Sequence, residues 1–577
     1  MNRFFIYTLY CTLCCSLIWW PYLLSAQSLQ TPFERSSGQR SATYQQCISF
    51  YKALDEQFET IHMEEAGMTD AGLPLHVVLY SAEGAATSPH PFTILIMNGI
   101  HPGEPDGIDA CMMLLRDLAR GTIKAPGNMV IAVIPVYNIG GALNRGTHSR
   151  VNQVGPEAYG FRGNAQNLDL NRDFTKCDSK EAMAFAAIFH RLQPAIFIDN
   201  HVSDGADYQH TMTLLSTQYD KLGKTLGAYM RDSLDPAVYK SMSAKGWPMI
   251  PYVNIEDENP RKGWTAFYDP PRFSAGYAAL FNTIGYTPET HMLKPFKQRV
   301  ESTYDLMRIL IRECAHRKNA IEAARQQNLE EQLQQTAFPL SWKADTMLAT
   351  NYRFLGYEPL YKKSMVTGQQ RLYYDRTQPF TAIIPIHDHY KPVHIVQAPS
   401  AYIIPQGWHK VIERLAAQDV RMLLLQHDTV ITVTAYHIDD YKTLPKAYES
   451  HYKHYDITVS ASKQRIRFRK GDYLVDTHQE ARRFIIEMLE PAGEDSYFAW
   501  NFFDAILQQK EGYSNYRWED IAAAFLEAHP DVRRQLAMKK RTDPAFAKDA
   551  QAQLKFVYQQ SPWYEPEHLR YPVFRME

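Results

Sequence analysis

Cysteine is scarce in this 577-residue chain, with seven in all. Cys11, Cys14 and Cys15 fall in the first apolar segment, leaving Cys47, Cys111, Cys177 and Cys314. The spacings of these four specify no disulfide pairing, and Cys111 sits in a helical apolar pattern that reads as buried. The chain also lacks an excess of either charge. A net charge of −2 leaves no basic footprint for nucleic acid. There is no internal repeat and no low-complexity tract. A long apolar run occurs at Phe4 to Leu24, behind Met1-Asn-Arg3 and ahead of Ser25-Ala26. Positive start, apolar middle and small-residue exit, in that order, describe a signal peptide over 1–26. The run is long enough for a membrane anchor, but Pro21 and the small-residue exit favour cleavage. An exported protein is expected, periplasmic or secreted, with no stable membrane insertion after cleavage. No Cys follows the exit, so no lipid attachment site is expected.

What is present is enough apolar sequence for substantial cores, 45% of residues, and a length that calls for two to four domains. From about 73 to 313 apolar strand-like runs alternate with helical patterns. Leu75–Tyr80, Phe92–Met97, Met129–Ile134, Ala195–Ile198, Thr211–Leu215 and Gly285–Glu289 read as strands. Gly107–Ala119, Lys180–Leu192, Leu222–Ser233 and Pro295–Ala315 read as helices. This alternation predicts an α/β fold with a mixed sheet flanked by helices. A charged Gln- and Glu-rich helix over 316–345 is expected as a connector. A β-rich accessory domain is expected over 346–490, and a helical C-terminal tail over 491–577.

Three short stretches in the first half carry the chemistry. His101-Pro-Gly-Glu104 follows the apolar run ending at Met97, and His201 follows the run ending at Ile198. Two His and one Glu suit zinc and leave a fourth position open for water, the pattern of a hydrolytic site rather than a Cys-rich structural one. Placement beyond the carboxyl ends of strands fits the crevice where open α/β sheets bind ligands. Asn171-Arg172 supplies a planar cationic fork suited to a carboxylate. The histidines of the second half, His387, His389, His394, His409, His427 and His437, have spacings that fit no metal motif.

Four separated motifs, Asn98-Gly-Ile-His101-Pro-Gly-Glu104, Asn167-Leu-Asp-Leu-Asn171-Arg172-Asp-Phe174, Asp199-Asn-His201 and Pro288-Glu289-Thr-His-Met-Leu-Lys294, together resemble the M14 zinc carboxypeptidase family. The resemblance spans about Leu75 to Ala315. It implies one zinc per chain on His101, Glu104 and His201, with Glu289 as general base and then proton donor. It implies that Asn171 and Arg172 hold the terminal carboxylate of a peptide or protein substrate. Arg162, in Gly160-Phe-Arg-Gly163, matches the oxyanion-stabilising arginine, with Arg145 and Arg150 as nearby competitors. A substrate-capping tyrosine is also implied. Tyr268 and Tyr277 both lie in the right interval, and Tyr277 is preferred. The function expected is an exported zinc metallocarboxypeptidase. Three other readings use the same residues: a deacylase of N-acyl amino acids, a cell-wall peptide amidohydrolase, and a non-catalytic binding protein that keeps the fold. The loop from Asp257 to Gly276 carries Asp257, Glu258, Asp269, Arg261 and Arg272, so the preferred last side chain is not legible.

Overall fold

The computed structural model describes residues 29–82, 91–124, 127–255 and 258–577. The expected leader over 1–26 and Asp257 lie outside the described residues. The chain divides into two compact units. The first comprises Met1–Ala398 with Arg414–Val420 and His478–Met488, and the second holds the remainder.

In chain order the first unit contains α1 (Tyr44–Gln57), β1 (Ile61–Met68), β2 (Pro74–Ser81), β3 (Phe92–Met97), α2 (Asp106–Ala119), β4 (Met129–Ile134), α3 (Lys180–Leu192), β5 (Ile196–Asp199), β6 (His201–Ser203), β7 (Met212–Ser216), β8 (Trp264–Thr265), α4 (Ser274–Leu280), β9 (Ile284–His291) and α5 (Phe296–Gln334). An eight-stranded sheet runs in the order β1-β2-β4-β3-β5-β9-β6, with β7 on β9. β3, β4, β5, β9 and β6 are joined by parallel ladders, whereas β1, β2 and β7 pair antiparallel. Every residue of β3 and β4 is buried, as expected of strands covered on both faces. The expected mixed α/β fold is therefore present. β1 was not anticipated: its sequence, IHMEEAGM, is polar and partly exposed, which suits an edge strand and hides it from a search for apolar runs.

The helices start and stop where local chemistry directs. Thr43 and Gln46 form a reciprocal capping box on α1, satisfying two amide donors that no helical carbonyl reaches. Ser179 caps α3, and Gln193 ends it in the left-handed conformation. The expected break between a helix ending near 315 and a separate connector is absent, because α5 runs unbroken from Phe296 to Gln334. Its second half is charged but not a free spacer. Ile321 and Asn328 are buried, and Asn328 Nδ2 donates to Leu222 O at 3.1 Å and Asn282 Oδ1 at 2.8 Å.

Beyond α5, the strands Ala337–Ala344 and Tyr390–Gln397 pair antiparallel. Thr350–Lys363 and Gln370–His387 form a long hairpin that adds β8 as a third strand. These strands belong to the first unit, so the expected boundary near 345 does not separate compact units. The hairpin packs Phe354, Ile384 and Ile386 against Tyr208, Ile250 and Trp264, bracing the loops that follow β6 and β7.

The second unit is built on a six-stranded antiparallel sheet in which the C-terminal strand Phe574–Met576 pairs with both Ala401–Ile404 and Thr429–Thr443. A helical cluster around Trp518, Phe525 and Tyr558 completes it. The four cysteines Cys47, Cys111, Cys177 and Cys314 are buried free thiols. No helix among the described residues is long and apolar enough to cross a membrane.

Candidate active site

The site grows out of the ends of β3, β5 and β9. Beyond β3 the chain turns through Pro102-Gly103, closed by Glu104 N–H donating to His101 O at 2.8 Å, and then enters α2. A Cβ on Gly103 would lie 2.7 Å from Arg150 Cδ, so glycine at that position lets Arg150 in. Arg150 Nη1 donates to Glu104 Oε1 at 2.8 Å, and its Nε donates to Gln153 Oε1 at 2.7 Å. β5 stops at Asp199 and β6 resumes at His201, both against the same strand, β9. In that parallel ladder His201 is the register partner of Glu289. Residues some ninety positions apart in sequence thus become neighbours through strand pairing alone.

His101, Glu104 and His201 are buried and converge, with one ligand atom of each within 4.8 Å of the others. His101 Nδ1 lies 3.3 Å from Glu104 Oε1, and His201 Nδ1 lies 3.1 Å from Glu104 Oε2. Ligands at about 2.0–2.1 Å from a tetrahedral zinc stand roughly 3.4 Å apart, so the spacing suits that ion. The outward ring nitrogens are already committed: Nε2 of His101 to Asp169 Oδ1 at 2.9 Å, and Nε2 of His201 to Asp199 Oδ2 at 2.8 Å. Such carboxylate partners fix the tautomer and turn the other nitrogen toward a metal. His101 Nδ1, though buried, has no hydrogen-bond partner. An orphaned acceptor, a facing carboxylate and two carboxylate-anchored imidazoles are the chemistry of a metal site. Burial works to raise the Glu104 carboxyl, yet Arg150 and His101 hold it well below the usual carboxylate range. It therefore stands ionised as a ligand.

Glu289 is partly exposed on the wall of a cavity of about 430 Å³ that His101, Glu104 and His201 also line. Burial pushes its carboxyl up to about 8, opposed by His201 and reinforced by Glu104 and Asp199. A carboxyl raised from its usual range is a better proton acceptor in its ionised form. Arg162, Asn171 and Arg172 line the same cavity. Arg162 Nε donates to Asp169 Oδ2 at 3.0 Å and its Nη1 stands 3.8 Å from Glu104 Oε1, beside the metal position. Arg172 lies over the Phe273 ring at 4.1 Å, with Nη1 donating to Asn171 O at 2.7 Å. Both contacts hold the guanidinium flat against one wall.

The sequence profile described as "Zinc carboxypeptidase" matches residues 47–194. The match indicates the M14 zinc carboxypeptidase family. It supports a hydrolase of the metallocarboxypeptidase class. The chain is 21% identical to carboxypeptidase 2 of Trichophyton tonsurans over 434 residues, 71% of this chain and 74% of the relative. It is 21% identical to carboxypeptidase 2 of Trichophyton rubrum over 476 residues, 78% of this chain and 81% of the relative. Among solved structures, a metallo-carboxypeptidase from Burkholderia cenocepacia aligns with 14% identity over 48% of this chain and 70% of that one, at a TM-score of 0.37. The matched M14 segment contains His101, Glu104, Arg162, Asn171 and Arg172 but ends before His201 and Glu289. Those two join the site through the sheet.

One expected site residue does not. Tyr277 is fully buried in α4, packed among Phe174, Phe185 and Phe189, with its hydroxyl donating to Gln418 Oε1 at 2.5 Å. It lies outside the cavity wall and cannot cap a substrate there. Ser274 and Ala275 of α4 line the cavity, whereas Tyr277 further along the helix turns into the aromatic core. Tyr268, the alternative, stacks on Tyr390 with centroids 5.4 Å apart and is also absent from the wall. The tyrosine on the wall is Tyr252, accompanied by Phe267 and Phe273. It lies upstream of Tyr268 and Tyr277, and nothing in its local sequence marks it. Arg150, weighed as a competitor of Arg162, lines the cavity as well.

Asp169 was missed as a functional residue although it lies inside the Asn171-Arg172 motif. One oxygen accepts from His101 and from the Asn171 amide at 3.0 Å, and the other from Arg162. It is the common anchor of His101, Arg162 and the Asn171 backbone. Burial works to raise its carboxyl, but His101 and Arg162 hold it far below the usual range. The other anchor, Asp199, offers a simple test. Asp199→Asn keeps the shape but removes the charge behind His201 and should weaken zinc binding about 10–100-fold, measured by competition with a chromophoric chelator. Unchanged affinity would show that His201 needs no such partner.

Proposed function

We propose that this M14 chain is an exported zinc carboxypeptidase that removes the last residue from peptides or proteins. The observation that carries the reading is the shared cavity: Arg172 and Asn171, suited to a terminal carboxylate, open on the same space as the His101–Glu104–His201 triad and Glu289. Export rests on the leader pattern of the first 26 residues.

His101, Glu104 and His201 would hold the zinc ion, which when bound would supply Lewis acidity toward the scissile carbonyl and the attacking water. The protein does the remaining work. Arg172, held flat by Phe273, pairs with the terminal carboxylate and sets which peptide bond reaches Glu289. The Glu289 carboxylate takes the proton of the attacking water and returns it to the leaving amine. Arg162 faces the oxygen on which negative charge develops, where fixed charge is worth roughly 3–4 kcal/mol.

The test is a pair of peptides that differ only in a free or an amidated C-terminus. The free peptide should be cleaved and the amide should not, because a partly buried Arg172 left without its anion costs about 2–5 kcal/mol. A chelator should stop cleavage of the free peptide. Equal cleavage of the two peptides would replace this reading with an endopeptidase or amidohydrolase on the same site.

A further inference from the structure

The hairpin of Thr350–Lys363 and Gln370–His387 ends in a tip that the proposed mechanism does not use. Its base is packed, with Phe354, Ile384 and Ile386 in an apolar cluster. Its end is not: from Tyr361 to Arg371 every residue but Ser364 is exposed. At the apex stand Met365, 99% exposed, and Val366, 94% exposed. Two adjacent apolar side chains held wholly in water add nothing to the core, and an apolar apex of this kind marks a contact with something outside the chain.

The turn that carries them satisfies its own backbone. Ser364 N–H donates to Gln369 O at 2.8 Å, and Gly368 N–H donates to Ser364 O at 3.1 Å. Ser364 Oγ accepts from the amides of Val366 at 3.2 Å and Thr367 at 3.1 Å, and Thr367 Oγ1 accepts from the Gln369 amide at 3.2 Å. Gly368 supplies the positive φ that closes the turn. With these amides paired inside the tip, taking it out of water costs less.

Behind the apex lies a collar of cations. Lys363 and Lys362 are two and three residues behind Met365, about 7–10 Å at the rise of a strand. Arg371 is the register partner of Lys362. Strand alternation puts Lys363 on one face with Tyr361, and Lys362 with Arg371 on the other. Lys362 Nζ stands 4.5 Å over the Tyr373 ring, which also belongs to that second face. No acidic residue occurs between Pro359 and Tyr374. The next ones, Glu358 and Asp375, pair with each other farther down the hairpin, and Glu358 already accepts from Arg261 at 2.6 Å.

We propose that this tip docks the protein on an anionic phospholipid surface. Met365 and Val366 enter the boundary between headgroups and acyl chains, an immersion of about 5–10 Å, and the collar then stands at the level of the lipid phosphates. Tyr361 and Tyr373 fall where amphipathic rings are favoured. The placement of charge selects this occupant. A protein partner covers one face of a hairpin, whereas a bilayer encloses an inserted tip on every side, and the cations occupy both faces. The docking is peripheral and reversible, since two apolar side chains and three charges hold a protein on a membrane without spanning it. It does not depend on the carboxypeptidase reading.

The experiment is flotation with vesicles of phosphatidylcholine alone and of phosphatidylcholine mixed equally with phosphatidylglycerol. The protein is used from Gln27 onward, so that the apolar leader adds no affinity of its own. Each cation near an anionic surface is worth about fivefold in binding. Wild type should therefore bind the anionic vesicles about 10²-fold more tightly than the neutral ones, and raised salt should erase most of the difference. Lys362→Ala, Lys363→Ala and Arg371→Ala combined should lose that preference. Met365→Ser with Val366→Ser should weaken binding to anionic vesicles about tenfold. Both sets of changes should leave thermal unfolding and the turnover of soluble peptides at wild-type values. Val366→Trp reports insertion directly: relative to wild type, its added emission should move to shorter wavelength on anionic vesicles and be quenched by lipids brominated on their acyl chains. Equal binding to the two vesicle types, binding that survives the alanine and serine changes, or a Val366→Trp signal that anionic vesicles do not move would overturn the proposal. So would self-association that the serine changes abolish in a protein that binds no vesicles, which would make the tip a contact between two copies of the chain.

Discussion

Replacing Glu289 by Gln is expected to cut kcat by about 10²–10⁴-fold, with zinc content and thermal unfolding close to wild type. Gln has nearly the same shape but cannot take a proton from water. The residue occupies a β9 position whose register partner is His201, so the change leaves the strand pairing and the three zinc-facing groups in place. If the carboxylate acts twice, as base and then as acid, the loss lies at the upper end of that range or beyond it. Stopped assays read as kcat and KM separately should place nearly all of the effect in kcat, since the contacts to Arg172 are unchanged. A variant with near-normal kcat would mean that another group moves the proton; Glu104 and Asp169 are tied to histidine and arginine partners.

Replacing His201 or His101 by Ala should abolish both metal content and activity. Two remaining protein ligands do not hold zinc in a four-coordinate site that began with three. For His201→Ala there is an added effect, because Asp199 is wholly buried and loses its partner, so some loss of stability is expected with the loss of metal. Elemental analysis of the dialysed proteins checks the first effect. Chelator-stripped wild type that recovers on adding zinc, beside a variant that does not, checks that the activity follows the ion. Full zinc occupancy in either variant would remove these histidines from the ligand set.

Most of the residues that converge in this candidate site stand out in the sequence, and the reason is chemical. A metal site needs particular donor types, so His101, Glu104 and His201 stand out at the ends of apolar runs. Arg172 stands out because little else binds a carboxylate with two parallel hydrogen bonds. The buried strands were equally plain: β3 and β4 fall where their unbroken apolar runs predicted. Periodicity worked less well where the two halves of an element look different. The second half of α5 reads as a charged spacer because only a few of its residues, such as Ile321 and Asn328, face inward. The edge strand β1 carries too few apolar residues to announce itself.

The amino-acid sequence by itself determined which donors exist, their order along the chain and their placement beyond strand ends. Those follow from residue chemistry and from the period of apolar side chains. Tertiary structure alone decided which of them meet. Strand register set Glu289 opposite His201, and the turn at Asp169 let its carboxylate join His101, Arg162 and the Asn171 amide. Packing decided against Tyr277, because whether a tyrosine on a short apolar helix faces a cavity or the core depends on what covers that helix.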